Sequence, residues 1–293
     1  MERAQGAYVG LAVGDALGAS VEFMTPREIQ AQYGVHNRIV GGGWLKLQAG
    51  KVTDDTEMSL SLGQAILAEN GIRDTAIAQA YSDWMRSKPV DMGNTVRRGI
   101  VHFRNSGSCE VPVSEHDAGN GACMRSLPIA LAMLGADEAL IRQASRTQAH
   151  ITHHNAVSDA GTECVIHMVQ CALQGGSKLA LAAIAQGLVL VEPLYDYSQR
   201  RQENPSGYIV ETLRAVFQAF FANEDFEAAM VDVVNRGGDA DTTGAILGMI
   251  AGAYFGLSAI PPSWRKHLDQ HILRQCSEQA VALLQTAPLE LLV

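Results

Sequence analysis

Apolar residues along this chain return every third or fourth position far more often than every second, the period of a helix with one buried face. In "DDTEMSLSLGQAILAENG", Met58, Leu62 and Ile66 repeat at i, i+4 and i+8, so a helix starts after Thr53 and Gly71 supplies its stop. "TPRE" at 25–28 is a capping box, with Thr25 as cap, Pro26 at the first helical position and Glu28 three residues after the cap. The same periodicity predicts helices at about 73–87, 93–104, 120–134, 137–149, 155–174, 177–190, 207–222, 224–235 and 242–256, with one or two more near the C-terminus. No stretch alternates long enough for a sheet, so the expected fold class is all-α. Long connections remain at 34–53, 105–119 and 191–206. Loops of that length in a helical protein tend to carry function. No low-complexity tract or linker divides the chain, and one domain over residues 1–293 is expected.

Gly6, Gly10, Gly14 and Gly18 recur every four residues, and so do Gly244, Gly248, Gly252 and Gly256. A glycine inside a helix costs roughly 0.8–1 kcal/mol against alanine, so four in a row need a compensating reason, and close approach of helix backbones is one. Two tightly packed central helices follow, and packing against each other is one way to use both stripes. "GAILGMIAGAYFGL", residues 244–257, is the longest apolar run. It is well short of the roughly 20 residues that a bilayer requires and reads as a buried core helix.

An apolar fraction of 47% in 293 residues is ample for a sizeable core. The formal net charge of −9 repels nucleic acid phosphates and anionic headgroups, so no nucleic acid partner and no direct membrane insertion are expected. Five cysteines, an odd number without a C-x-x-C pair, suit reduced thiols in a cytoplasm. The N-terminal stretch carries Glu2 and Asp15 and lacks the basic start and unbroken apolar core of a signal peptide. A cytoplasmic location is expected.

The chemistry lies in two acidic clusters, each in front of an apolar helix. Asp54 and Asp55 stand between Thr53 and Thr56, and Asp239, Asp241 and Thr242 open the second glycine-striped helix. One acid is enough to cap a helix; a second beside it adds repulsion that a cation between oxygen ligands relieves. Capping and metal binding both remain open for either cluster alone. An EF-hand is excluded, because a loop starting at Asp239 would place Ile250 where the bidentate Glu belongs. Carboxylates and threonine hydroxyls suit Mg²⁺ or Mn²⁺ rather than zinc, and two ions roughly 3.5–4 Å apart could share them. His150, His153 and His154, like His267 and His271, have helical spacing but lack H-E-x-x-H or a cysteine pair. They read as hydrogen-bonded structural residues, the first three near the site. "DDTEM" fails the DDxxD pattern of isoprenoid synthases at Met58, and no G-x-S-x-G elbow occurs.

"GDALGASVEF", "TDDTEMSL", "GNGACMRSLPIA", "ITHHNA" and "RGGDADTTGAI" resemble, in order and spacing, the motifs of the ADP-ribosylglycohydrolase family over essentially the whole chain. "DMGNTVRRGI", "GGGWLKLQAGKVTDDTEMSL" and "ENPSGYIVETLRAVF" are similar to its nitrogenase-linked bacterial subgroup. The resemblance implies an all-α fold with two divalent cations, Mn²⁺ ahead of Mg²⁺, and release of ADP-ribose from an arginine of ADP-ribosylated dinitrogenase reductase. It implies Thr53, Asp54, Asp55, Asp239, Asp241 and Thr242 as metal ligands, with Glu22 as an acidic residue near the metals. Asn94 and Tyr208 match substrate-contacting positions, and His153 lies on the substrate side of the pattern. Gly119, Asn120 and Gly121 would form a turn ahead of a helix, its free N–H groups facing a pyrophosphate.

Cleaving the N-glycosidic bond passes through an oxocarbenium-like state with a poor guanidine leaving group. Metals orient the ribose hydroxyls and acidify a water whose proton a carboxylate accepts, either Glu22 or a metal-bound Asp such as Asp55. Asp91 would pair with the substrate guanidinium, or cap the helix that follows it. The resemblance also implies control by a PII signalling protein and, through an ammonium channel, reversible protein-mediated membrane association. Another ADP-ribosylated target, a free ADP-ribose derivative, or a non-catalytic protein of the same fold are the alternatives.

Overall fold

The computed structural model describes residues 1–292. Among them it contains fourteen α-helices and no strand, only three isolated bridges. In chain order the helices are α1 (Glu2–Gly18), α2 (Pro26–Tyr33), α3 (Asp54–Glu69), α4 (Asp74–Arg86), α5 (Asn94–Ser106), α6 (Leu127–Ala132) and α7 (Glu138–Ala149). They continue with α8 (Ala156–Leu173), α9 (Lys178–Val191), α10 (Ile209–Ala222), α11 (Phe226–Val234), α12 (Ala240–Phe255), α13 (Pro262–His267) and α14 (Gln270–Thr286).

The two glycine-striped helices, α1 and α12, form the centre and are buried along almost their whole length. They pack against each other. A Cβ added to Gly244 would stand 2.5 Å from the Gly14 carbonyl oxygen, and one on Gly6, Gly10, Gly14 or Gly18 would meet the carbonyl of Gly252, Gly248, Gly244 or Ala240. Rising numbers in α1 pair with falling numbers in α12, so the helices are antiparallel. The C-terminal end of α1 therefore meets the N-terminal end of α12, which brings the chain after Gly18 to the Asp239–Asp241 cluster. Around this pair α6 is buried at every residue and the more peripheral helices bury one face; α4, for example, buries Ile77, Ala78, Tyr81 and Trp84 at helical spacing.

The capping box of α2 is present, with Thr25 N–H donating to Glu28 Oε2 at 2.7 Å. Two boundaries differ from the pattern-based expectation. The stop of α3 is Asn70, which takes the left-handed conformation at φ 50°, while Gly71 donates its N–H to the Ile66 carbonyl at 3.1 Å. The helix expected at 120–134 contracts to α6, because residues 121–125 form turns. Those turns place the Arg125 side chain inside the core, where it donates to Gln148 and Thr152 and lies over the Tyr81 ring at 4.6 Å. None of the five cysteines is paired, and among the described residues no helix is long and apolar enough to cross a membrane.

Candidate metal centre and substrate pocket

The first turn of α3 is held by a residue that motif reading did not assign to the site. Asp15, fully buried on α1, accepts hydrogen bonds from the backbone N–H of Thr53 at 3.0 Å and of Thr56 at 3.1 Å. It also accepts from both threonine hydroxyls. An anion facing a helix N-terminus satisfies orphan amides and opposes the positive end of the dipole. Thr53 occupies the cap position of α3 and Asp239 that of α12, yet neither side chain accepts a capping hydrogen bond. With that task taken by Asp15, helix capping does not account for Asp54 and Asp55. The sequence signals for Asp15 were its place in "GDALGASVEF" and an acid inside a glycine-striped buried helix, neither of which gave it a partner.

Glu22, Asp239 and Asp241 each offer a carboxylate oxygen, the three lying within 4.8 Å of one another. Asp55 Oδ2 lies 3.1 Å from Thr53 Oγ1, whose single proton it shares with Asp15, and accepts from Thr242 Oγ1 at 3.3 Å, which ties the two acidic clusters together. Its other oxygen, Oδ1, is buried without a partner. Asp54 Oδ2 accepts from the Gly93 N–H at 3.3 Å, and Asp239 Oδ2 from Asn120 Nδ2 at 2.6 Å. Trp44, from the long 34–53 loop, donates its indole N–H to Glu22 Oε2 at 2.6 Å.

Glu22, Asp54, Asp55 and Asp241 are buried and Asp239 is half-buried, and none of the five enters an ion pair among the described residues. Burial pushes the carboxyls of Asp54 and Glu22 up to about 8, with Asp91 adding repulsion to both. Burial likewise holds Asp55 and Asp241 well above the ordinary range, with neighbouring carboxylates adding repulsion. So many like charges cannot ionise together out of water unless a cation joins them. The all-oxygen donor set and the orphaned Asp55 Oδ1 fit a hard divalent cation.

A cavity of about 260 Å³ adjoins these acids, with Asp54, Asp91, Asn94, Asn120 and His153 among its walls. Gly119 and Gly121 face the His153 ring: a Cβ on either would come within 3.0 or 2.7 Å of it. That close fit explains both glycines. Burial, with Arg125 adding repulsion, pushes His153 down to about 3, so the ring is neutral, and its Nδ1 lies 2.8 Å from Thr152 Oγ1. The 119–121 turn lines the cavity but does not open a helix, since α6 begins only at Leu127 and the Asn120 N–H is spent on the Gly207 carbonyl at 3.0 Å. Asp91 does not cap α5; Gly93 holds that position, leaving the carboxyl at the cavity wall. Tyr208, 37% exposed, is bridged to Gly119 at the rim. Phe23, at φ 61° and 64% exposed, packs its ring 5.4 Å from Trp44 beside the same mouth. Phe23 and Trp44 stand within "GDALGASVEF" and "GGGWLKLQAGKVTDDTEMSL", yet the sequence pattern gives neither a role of its own.

The ADP-ribosylglycohydrolase family model matches residues 1–290. The chain belongs to the ADP-ribosylglycohydrolase family. This glycohydrolase is 44% identical over 289 residues to the ADP-ribosyl-[dinitrogen reductase] glycohydrolase of Rhodospirillum rubrum, covering 99% of this chain and 98% of that protein. It is 31% identical to the ADP-ribosylarginine hydrolase Tri1 of Pseudomonas putida, covering 95% of this chain and 78% of Tri1. A solved structure described as an ADP-ribosylglycohydrolase-related protein complex superposes with a TM-score of 0.87 at 33% identity, covering 98% of each chain.

Proposed function

We propose that the protein is a divalent-metal-dependent hydrolase that removes ADP-ribose from an arginine of dinitrogenase reductase by cleaving the N-glycosidic bond. One observation carries this: acids without counterions among the described residues, drawn from α3, α12 and the chain after α1, converge on a cavity whose wall also holds the carboxyl of Asp91, which meets only the Met92 N–H at 2.7 Å. The likeness to the R. rubrum enzyme supplies the substrate, and the likeness to Tri1 agrees on the arginine linkage.

Thr53, Asp54, Asp55, Asp239, Asp241 and Thr242 would hold two cations, Mn²⁺ by preference, with Glu22 beside them. When bound, the cations supply charge for orienting ribose hydroxyls and acidifying water. The chain's own residues do the rest. Trp44 occupies Glu22 Oε2, which leaves Glu22 Oε1 to take a proton from the attacking water. As the C1″–N bond breaks, the water oxygen joins C1″ and the guanidine leaves with the bonding pair, taking up the proton that Glu22 drew from the water to become guanidinium. Asp91 pairs with that guanidinium on both sides of the reaction. Neutral His153, wedged between Gly119 and Gly121, fixes the wall opposite without adding charge. At about 260 Å³ the cavity is below the roughly 300–1,000 Å³ of typical ligand pockets, so it takes the ribose end while the rest of ADP-ribose extends past Tyr208.

The resemblance to the nitrogenase-linked subgroup further supports a PII protein as regulator and an ammonium channel as its membrane anchor. The test is ADP-ribose release from ADP-ribosylated dinitrogenase reductase with Mn²⁺ or chelator, for the native chain and Asp241→Asn. Release that needs Mn²⁺ and disappears in a folded Asp241→Asn is the expected result. No release by the native chain with Mn²⁺, but turnover of serine-linked or acetylated ADP-ribose, would overturn the arginine linkage.

A further inference from the structure

Outside the catalytic pocket, Glu110, His150 and His154 bring ligand atoms within 4.8 Å of one another. His150 lies at the end of α7, His154 in the turn that follows, and Glu110 in the long 105–119 loop folded over them. Glu110 Oε1 is 3.4 Å from His150 Nδ1 and 3.3 Å from His154 Nδ1. Tetrahedral zinc with bonds of about 2.0–2.1 Å spaces its ligands by roughly 3.3–3.4 Å, the same edge length.

Protonation makes the spacing more telling. His150 Nε2 faces both oxygens of Asp159, at 3.0 and 3.2 Å, and so carries the ring's proton in the neutral state. Its Nδ1 is then a lone pair aimed at a carboxylate, which needs a cation or a proton between them. The His150 and His154 rings are stacked at 3.8 Å with their planes 19° apart, and because each lone pair lies in its ring plane, one ring turns when both Nδ1 atoms take the same ion. A carboxylate behind a ligating histidine is also the usual way such a ring is oriented. His154 Nδ1 lies 2.9 Å from the Val111 carbonyl; ligation through Nδ1 moves its proton to Nε2 and gives up that contact.

We propose that Glu110, His150 and His154 form a second, transition-metal site of the zinc type, separate from the acidic centre and open to solvent on the fourth side. Glu110 is 61% exposed and the histidines 15% and 20%, so the ion exchanges freely with solution. Because His154 adjoins His153, metal here pins the 105–119 loop to the turn that carries the wall of the catalytic pocket.

Co²⁺ is the probe, added to the full chain already saturated with Mn²⁺. The expected result is one Co²⁺ with the intense visible bands of tetrahedral coordination, displaced by Zn²⁺, together with slowed amide exchange at 110–118. His150→Ala and His154→Ala abolish the bands, Glu110→Gln, an exposed change, weakens binding at least tenfold, and Asp241→Asn leaves it intact. Asp159→Asn weakens it about tenfold or more through the His150 ring. If the bands persist in Glu110→Gln and His154→Ala but vanish in Asp241→Asn, cobalt occupies only the acidic centre and the proposal fails. If the native chain shows no saturable tetrahedral band, the cluster holds a proton only, and the proposal fails equally. Neither outcome depends on the hydrolase reaction.

Discussion

Gly244→Ala and Gly187→Ala are the same chemical change in two helices, and the structure assigns them opposite signs. In an open helix position alanine is favoured by roughly 0.5–1 kcal/mol, chiefly through backbone entropy. Gly187 is on exposed α9 with nothing within 4 Å of an added Cβ, so that gain is kept. At Gly244 the Cβ would stand 2.5 Å from Gly14 O, 2.9 Å from Gly14 C and 3.3 Å from Gly14 Cα. Ordinary contact begins at 3.4 Å, so the backbones of α1 and α12 must part by the difference, about 0.9 Å. The obstacle is main chain and cannot rotate away, which places the cost near 3 kcal/mol, the upper part of the overpacking range. After the alanine gain, a net loss of about 2 kcal/mol remains, or about 4–8 °C in Tm, against a rise of about 1–4 °C for Gly187→Ala. Parting these helices also moves Asp239 and Asp241 away from Asp54 and Asp55, so Mn²⁺ affinity drops in Gly244→Ala and not in Gly187→Ala. Thermal melts and Mn²⁺ titrations of both variants decide it. If Gly244→Ala melts as high as Gly187→Ala, the close backbone contact is wrong, and with it the account of how the acids are brought together.

Further outcomes follow from the site. The buried carboxyls have folded pKa values raised above their unfolded ones, up to about 8 for Asp54 and Glu22. Between about pH 4 and 8 the metal-free fold then holds more protons than the unfolded chain, and its stability falls as pH rises through that window. Melts in chelator should show Tm decreasing from pH 5 to 8, and Mn²⁺ should remove the decrease; a rising Tm in chelator would contradict the acid cluster. Asp15→Asn exchanges an acceptor of four hydrogen bonds for a group that must present N–H to donors, costing about 1–3 kcal/mol and weakening Mn²⁺ binding without removing a ligand. Gly121→Ala pushes against the His153 ring and should raise KM about tenfold, equivalent to ~1.4 kcal/mol, with kcat held within about twofold. An unchanged KM would remove His153 from the substrate wall. Trp44→Phe takes the indole donor from Glu22, so Mn²⁺ binding should require a higher pH, read from titrations at pH 6 and 8.

Helical periodicity was legible because a helix buries residues at fixed sequence intervals, so α2, α3 and the helices after residue 137 could be placed before any contact was known. Both glycine stripes and both acidic clusters were legible for the same reason: each is a local run of residues whose joint cost demands a partner. Which partner was not local. The antiparallel register of α1 on α12 sets Gly14 against Gly244, and that register, with Asp15 of α1 holding the first turn of α3, places the first acidic cluster beside the second. The turns at 121–125 escaped the periodic pattern because Arg125 answers to Gln148, Thr152 and Tyr81, all remote in sequence. Asp15 looked like one more polar residue in an apolar helix until Thr53 and Thr56 came to rest on it from 38 and 41 residues away. Composition and local pattern thus determined the helices and the kind of chemistry their ends carry. The tertiary structure alone decided which oxygens come together, because a hydrogen bond forms between atoms close in space, whatever their distance along the chain.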